Sequence, residues 1–346
     1  MKQSSLIWGM CRRLVETDGG TPPSHNLRER SHSMNHNVAA GRALPRREIR
    51  REARGRKGAA RASLEQVMSL LFFLCGTAAV AALLAICVYL VLSGLPAIRQ
   101  VGLVEFLTGP VWAPAQGKVG ILPFLLTSAA GTGGAVLLGV PVGLLTAVFL
   151  TKIAPARVAA AIRTAVELLA GIPSIVYGLV GMMVLVPAIQ KLFNLPSGAN
   201  LLAAILVLAV MILPSVVNVA ATALEAVPRE YEEASLALGA TEMETWFRVS
   251  LPAARSGVAT AIVLGVGRAI GEAMAIIMVS GNVPNLPESL FTPVRFLTTA
   301  IASEMSYAAE GSLQRMALYS IGLILFLFIL CINAVLNLLI KRERRG

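Results

Sequence analysis

The chain has 346 residues, of which 56% are hydrophobic and only 14% are charged, and its formal net charge is +11. Soluble domains usually carry about 25% charged residues, so this composition excludes an ordinary soluble protein. The four cysteines are scattered, and all three histidines lie within the first 36 residues. Neither set has the spacing of a disulfide framework or a metal site, so we expect no metal on this chain.

Residues 1–62 form a basic segment, with 14 Lys and Arg against 5 Asp and Glu. The segment lacks apolar periodicity and is rich in Arg, Ser, Gly and Asn. We predict a disordered cytoplasmic tail rather than a nucleic-acid-binding module. No apolar stretch with a cleavage site precedes residue 62, so we expect no secretory signal.

The rest of the chain, 63–346, is predicted to be a transmembrane domain. Each of its apolar blocks reaches the roughly 20 residues that a helix needs to cross a bilayer, and each is apolar nearly all round. The sequence therefore predicts an all-α integral membrane protein with six transmembrane helices. Those containing Pro141 and Pro173 are long enough to tilt, kink or break. The blocks are Val67–Leu92, Val119–Leu150, Val158–Ile189, Leu201–Ala221, Gly257–Ser280 and Met316–Ile340.

The distribution of Lys and Arg predicts the orientation of these helices. The basic segment precedes the first block, and the chain ends on the basic stretch "KRERRG" after the sixth. Six crossings place both ends on the same side, so we expect both termini in the cytoplasm. The loop at 224–256, called the charged loop below, then also lies in the cytoplasm.

A charged pair interrupts the fifth apolar block. Arg268 and Glu272 are one helical turn apart, which predicts that they share a helix face near mid-membrane. Placing each charged side chain at that depth costs at least ~2.5–3.5 kcal/mol, and charged residues there usually mark a substrate or ion pathway. An arginine fork suits an oxyanion, and Gly265, Gly267 and Gly271 allow close approach. The alternative is a structural salt bridge that locks two helices.

A second pair, Arg163 and Glu167, repeats the four-residue spacing at the inner end of the third block. We favour a structural role for this pair over a role in the pathway, because Arg163 can reach the membrane interface. The sequence "GIPS" follows, and Pro173 before Ser174 is expected to break the helix and free a backbone carbonyl. Broken helices in transporters line cavities.

The charged loop has the pattern of two short helices that meet at a glycine. Pro228 suits the first turn of a helix, and Gly239 suits the left-handed residue after its end. Thr241 with Glu244 forms a capping box that starts a second helix, which should end before Pro252. Its acidic cluster disfavours a helix lying on anionic lipid, so we expect a protein partner.

This loop resembles the signature of ABC importer permeases. The signature's residues are Glu233, Ala234, Ser235 and Gly239, followed after nine residues by Val249, Ser250, Leu251 and Pro252. The resemblance implies a type I importer permease fold and docking of the loop on a separate ATPase subunit. The chain has no G-x-x-x-x-G-K-[ST] phosphate loop, so we expect no enzyme activity or cofactor here. ATP and Mg²⁺ would bind on the partner.

Two stretches are also similar to the phosphate importer permeases of the PstC type, namely "ELLAGIPSIVYGLVG" (167–181) and "GRAIGEAMAIIMVSGN" (267–282). The resemblance covers about residues 65–340 and implies that Arg268 and Glu272 serve phosphate passage. It also implies a plasma-membrane complex with a PstA-type permease, two ATPase subunits and an extracytoplasmic phosphate-binding protein. The alternatives are a permease for sulfate or molybdate, an ion-coupled secondary transporter, and a structural membrane anchor.

Overall fold

The computed structural model describes residues 46–343, with side chains over residues 65–335 and at Leu338. The chain divides into two compact units, 1–73 and 74–346. In the first unit, the described part is helical backbone from residue 46 onward. The second unit contains the elements that are discussed below.

Helices make up most of the described part of the chain, which also contains one short β-hairpin. The hairpin pairs β1 (Trp112–Ala113) with β2 (Lys118–Val119) in antiparallel register. The helices are α1 (Arg46–Val101), α2 (Leu103–Thr108), α3 (Leu122–Val148), α4 (Ala156–Gly171), α5 (Ser174–Val180), α6 (Val186–Leu192), α7 (Leu201–Glu225), α8 (Arg229–Ala237), α9 (Glu242–Thr245), α10 (Leu251–Ala253), α11 (Arg255–Gly271), α12 (Met274–Val279), α13 (Leu297–Glu304) and α14 (Leu313–Glu343).

Wide π turns extend three of these helices. They cover Phe149–Ile153 after α3, Gly181–Leu185 between α5 and α6, and Trp246–Ser250 between α9 and α10. Such turns often occur at functional sites. The predicted second helix of the charged loop therefore does not stop before Pro252 but runs on to Ala253. Pro252 occupies the first turn of α10, where its missing N–H is tolerated.

The core is built where α7 packs between α3 and α11. Small residues on α3 bring its backbone close to α7: a Cβ at Gly139 would lie 2.7 Å from Ile212, and one at Gly143 would lie 2.8 Å from Val216. Gly265 brings α11 to the same Val216 in this way, at 2.9 Å. Close packing of small residues replaces hydrophobic burial as the cohesive force between helices in lipid.

A polar network closes the end of the bundle opposite the charged loop. Arg295 forms an ion pair with Glu304, and the two side chains are 14% and 18% exposed, respectively. Trp112 Nε1 donates to both Glu304 carboxylate oxygens at 3.1 Å, and Gln314 Nε2 donates to Oε2 at 2.8 Å. Arg295 also donates to the carbonyl of Asn282. The network fixes the hairpin, α13 and α14 against one another.

In the described part of the chain, five helices are long and apolar enough to cross a membrane, and a bent pair raises the number to six if it counts as one span. This confirms the all-α membrane architecture. The bent pair joins Glu242–Ala253 to Arg255–Gly271 at an angle of 73°. The five helices are Glu65–Val101, Leu122–Ile153, Ser174–Leu192, Leu201–Glu225 and Leu313–Val335.

The structure differs from two of the predicted boundaries. In the third block the span begins only at Ser174, because α4 is a separate, mostly exposed helix that ends at Gly171. Residues 46–62, which the sequence analysis assigned to the tail, continue α1 as helix. Their Arg, Ala, Glu and Lys residues favour helix. The tail prediction for residues 1–45 lies outside the described residues.

Candidate functional site

The fifth block is not one continuous helix, and the predicted shared face of Arg268 and Glu272 is wrong. Helix α11 ends at Gly271, and Glu272 has extended backbone with φ −75° and ψ 129°. Its Oε1 accepts a hydrogen bond from the backbone N–H of Ala275 at 3.1 Å, so Glu272 caps α12. Its carbonyl accepts from Thr298 Oγ1 at 2.7 Å. A glycine followed by a carboxylate that caps the next helix favours this break.

Arg268 is half-buried and forms no ion pair with a carboxylate of residues 65–335. Its Nη1 donates to Ser215 Oγ on α7 over 3.4 Å. Within residues 65–335, neither Arg268 nor Glu272 takes part in an ion pair. The geometry therefore does not support the salt-bridge lock between these two residues. It leaves a guanidinium with unused donors near the middle of the bundle.

The glycines around Arg268 have two different roles. Gly265 faces α7, as described above. A Cβ at Gly267 or Gly271, in contrast, would meet no atom within 4 Å. One face of α11 beside Arg268 is therefore open within the described residues. The close approach that the sequence analysis expected at all three glycines is observed at Gly265.

Arg163 and Glu167 do not pair with each other. Arg163 Nη2 instead contacts Glu225 Oε1 at the end of α7, at 2.5 Å, and both side chains are nearly half exposed. Glu167 is exposed one turn further along α4. This arrangement supports the structural interpretation for Arg163, because it ties α4 to α7.

The break at Pro173 is confirmed. Helix α4 ends at Gly171, Pro173 caps α5, and Ser174 begins it. Tyr177 Oη donates to the carbonyl of Leu169 at 2.7 Å, across the break. One carbonyl at the end of α4 is therefore satisfied by a side chain rather than by the next turn of helix.

The charged loop has the predicted helix–glycine–helix form. Gly239 lies at φ 87°, in the left-handed region after α8. The Thr241–Glu244 capping box is present and starts α9. Ser235 Oγ lies 2.9 Å from Thr245 Oγ1 and joins α8 to α9.

The signature residues divide between the surface of this loop and its base. Glu233, Ala234, Gly239 and Pro252 are exposed. Leu251 is half-buried and packs against the core beneath the loop. Apolar side chains also stand out to solvent, namely Tyr231 (56%), Leu238 (90%), Met243 (57%) and Phe247 (41%). Neighbouring exposed apolar side chains mark an interaction surface.

A link between the loop and the core was missed by the sequence analysis. Lys152, in the π turn after α3, forms an ion pair with Glu232 of α8, and these side chains are 13% and 20% exposed. Ser250, in the π turn before α10, donates to Glu232 Oε1 at 2.8 Å. Lys152 and Glu232 are 80 residues apart, so no local pattern could have indicated the contact.

The environment of Glu232 favours its charged form. Partial burial raises the pKa of Glu232, but the hydrogen bonds from Lys152 and Ser250 and the charge of Lys152 outweigh this. The net pKa therefore lies below the ordinary value of 4.5. The loop is tied to the core by an ionised carboxylate at neutral pH.

Residues 139–345 match the family of binding-protein-dependent transport system inner membrane components. The chain belongs to this family. The match includes all of the candidate residues described above, from Lys152 to Glu272.

Several curated relatives resemble most of the chain. The probable ABC transporter permease protein YqgH of Bacillus subtilis is 42% identical over 267 residues, which are 75% of this chain and 86% of the relative. The phosphate transport system permease protein PstC of Pasteurella multocida is 37% identical over 69% of this chain and 80% of its own length. PstC of Haemophilus influenzae is 36% identical over 76% of this chain and 89% of its own length.

A solved structure confirms the fold. One crystal form of the inward-facing MetNI methionine ABC transporter matches with a TM-score of 0.51 and 21% sequence identity. The match covers 64% of this chain and 95% of that chain. At this identity the likeness shows the ABC transporter permease fold alone. Together with the membrane spans, it establishes a multi-pass membrane component.

Proposed function

We propose that the chain is the permease subunit of an ATP-driven importer of inorganic phosphate. The observation that carries the proposal is the guanidinium of Arg268. It lies within the bundle beside an open helix face and has no carboxylate partner among residues 65–335. The names of the PstC relatives give phosphate as their cargo. The name of YqgH gives no cargo, so it supports the permease role only.

The chemistry of Arg268 suits a tetrahedral oxyanion. A guanidinium keeps its charge and presents a planar fork of donors, which matches two phosphate oxygens. Its attraction for an anion is stronger in a low-dielectric bundle than in water. Glu272 lies four residues on, and its negative charge is held at the first turn of α12. It limits how tightly the anion is retained without neutralising Arg268 directly, which favours release.

The charged loop supplies the connection to ATP. Its exposed apolar residues and acidic helix α8 form a surface for a cytoplasmic ATPase subunit, on which ATP and Mg²⁺ bind. Two such subunits, a homologous PstA-type permease and an extracytoplasmic phosphate-binding protein complete the complex. Both termini of this chain then lie in the cytoplasm, in agreement with the distribution of Lys and Arg.

Uptake of radiolabelled phosphate tests the proposal. The chain is co-expressed with its partner subunits in cells that lack their own phosphate importers, and unlabelled sulfate or molybdate is added as competitor. We expect unlabelled phosphate, but neither sulfate nor molybdate, to compete with the uptake of labelled phosphate. Uptake should stop when the ATPase active site is inactivated. Competition by sulfate or molybdate would favour the other oxyanions. Uptake that survives ATPase inactivation and is abolished by an uncoupler would indicate an ion-coupled transporter.

A further inference from the structure

The polar residues of α7 all lie on one face of its second half. From Leu201 to Pro214 the helix has only apolar residues, and beyond that its polar residues are Ser215, Asn218, Thr222 and Glu225. Spacings of three, four and three residues place these four side chains in one line along the helix. A single-sided polar stripe in a membrane helix faces the bundle interior or a water-filled cavity.

Burial agrees with this placement. Val216, Val217, Ala220 and Leu224, on the other faces of this half, are buried in the core. Ser215 and Asn218 are half-buried, and Thr222 and Glu225 are exposed. The amide of Asn218 makes no hydrogen bond to residues 65–335, and Thr222 bonds only to the carbonyl one turn before it, at 2.8 Å. The stripe therefore offers free hydrogen-bonding groups.

Each end of the stripe meets an arginine. Arg268 of α11 donates to Ser215 at one end, over 3.4 Å, and Arg163 of α4 pairs with Glu225 at the other, at 2.5 Å. The two ends are separated by ten residues, which is about 15 Å of helix. Helix α11 packs on one side of the stripe, where Gly257 meets Ala223. Helix α4 packs on the other, where Val166 meets Val217.

We propose that Ser215, Asn218 and Thr222 form a track of neutral hydrogen-bonding groups, along which an oxyanion passes from Arg268 to the mouth at Arg163. The inference rests on the proposed function and adds three residues and a direction to it. Hydroxyl and amide groups donate to anion oxygens without a full charge, so each contact is weak. Passage needs several weak sites in sequence rather than one strong site.

A second open side of the same helix provides an internal control. Leu206, Val210 and Leu213 contribute to an apolar groove of about 680 Å³, which Leu138 and Val142 of α3 also line. Val210 is 44% exposed, which is more than the half-buried Asn218, but its surroundings are apolar. A test that separates Val210 from Asn218 and Thr222 therefore separates a track from general exposure.

Thiol labelling of the assembled complex tests the track without assuming the cargo. Asn218→Cys, Thr222→Cys and the control Val210→Cys are introduced singly after the four native cysteines are replaced by serine. Inside-out vesicles are treated with a negatively and a positively charged methanethiosulfonate. For each position we compare the ratio of the anionic to the cationic reaction rate with the same ratio for a free thiol. We expect this ratio to be at least about tenfold higher at positions 218 and 222. Phosphate should protect both positions, and Val210→Cys should not react.

Adding Arg268→Gln to these variants should remove the preference for the anionic reagent. Failure of both track positions to react, or equal rates for the two reagents, would overturn the proposal. A complex that imports no phosphate but shows anion-selective labelling would refute phosphate as the cargo and support the track. A complex that imports phosphate without such labelling would refute the track alone.

Uptake by point variants then separates a track from a contact between helices, which Ser, Thr and Asn also provide. Asn218→Asp is nearly the same size but repels an anion, so its uptake should fall well below that of Asn218→Ala. Thr222→Val should lower uptake about three- to tenfold, as expected for one lost hydrogen bond. The matched control is Thr146→Val on α3, whose hydroxyl also bonds only to the carbonyl one turn before it. Equal uptake by the two Asn218 variants would contradict the track.

Discussion

Replacing Arg268 by glutamine tests the proposed pathway most directly. Glutamine keeps a hydrogen-bonding side chain but loses the positive charge and the planar fork. The only side-chain hydrogen bond that Arg268 makes within residues 65–335 is the one to Ser215, and it forms no ion pair there. We therefore expect Arg268→Gln to assemble with its partners in normal amounts and to lose phosphate uptake.

The expected magnitudes follow from these contacts. A hydrogen bond to a charged group contributes about 1.5–3 kcal/mol, and about 1.4 kcal/mol corresponds to a factor of ten. Losing one such bond to the anion lowers uptake about 10- to 100-fold. The loss in folding stability should stay below about 1 kcal/mol, because only one long hydrogen bond is removed. A buried salt-bridge lock would instead lose about 3–5 kcal/mol.

The assay measures initial phosphate uptake, normalised to the amount of assembled complex recovered from the membrane. Arg295→Gln is the matched control, since the same substitution there breaks a real ion pair with the largely buried Glu304. We expect this control to reduce the amount of complex. Arg268→Lys should restore uptake only in part, because a point charge lacks the fork. Full uptake by Arg268→Gln would refute the pathway, and loss of complex equal to that of Arg295→Gln would restore the lock.

Three other changes test the charged loop and the topology. Gly239→Val forces a β-branched residue to φ 87°, which costs about 1–3 kcal/mol. The variant should therefore import less phosphate per ATP hydrolysed. An unchanged ratio of phosphate to ATP would argue against docking of the loop on the ATPase. Because the pKa of Glu232 lies below its ordinary 4.5, its stabilising pair with Lys152 is present above that value and is lost as the pH falls through the folded-state pKa. Glu232→Gln should therefore lower the Tm of the purified complex at pH 7 and match wild type at low pH, whereas equal Tm values at pH 7 would count against the link. A reporter fused after Glu242 should lie in the cytoplasm and one after Lys191 outside; the reverse result would invert the topology.

The sequence predicted features that depend on local chemistry. Length and apolar composition determine whether a helix can span a membrane. Each span overlaps a predicted apolar block, although the third begins only at Ser174 and the fifth ends at Gly271. Gly239 and the Thr241–Glu244 box are confirmed for the same reason, since a left-handed residue and a capping box act within one turn.

Besides the local glycine and capping carboxylate, the break after Gly271 has causes that a local pattern does not contain. Thr298, far along the chain, bonds to the carbonyl of Glu272. Ala275 packs so closely on α5 that a Cβ at Gly178 would lie 2.8 Å from its Cα. A four-residue spacing predicts a shared face only while the helix continues, and these tertiary contacts favour a new helix instead. The partner of Arg163 was missed similarly, because Glu225 is 62 residues away.

The contacts give two routes by which movement of the charged loop reaches Arg268. One passes from Glu232 to Lys152 and then along α3, whose glycines bring it against α7, the helix that holds Ser215. The other passes from Ser250 through α10 into α11, which holds Arg268 itself. Glu232 contacts both Lys152 and Ser250, so the two routes start at one carboxylate. The two routes meet at the Arg268–Ser215 contact, so we expect a movement of α8 to act on α3 and α11 together. A contact of 3.4 Å is long enough to exchange for an anion oxygen when α11 moves relative to α7. Under the proposed function, we expect the charged loop to act on transport by exchanging Arg268 between Ser215 and the cargo.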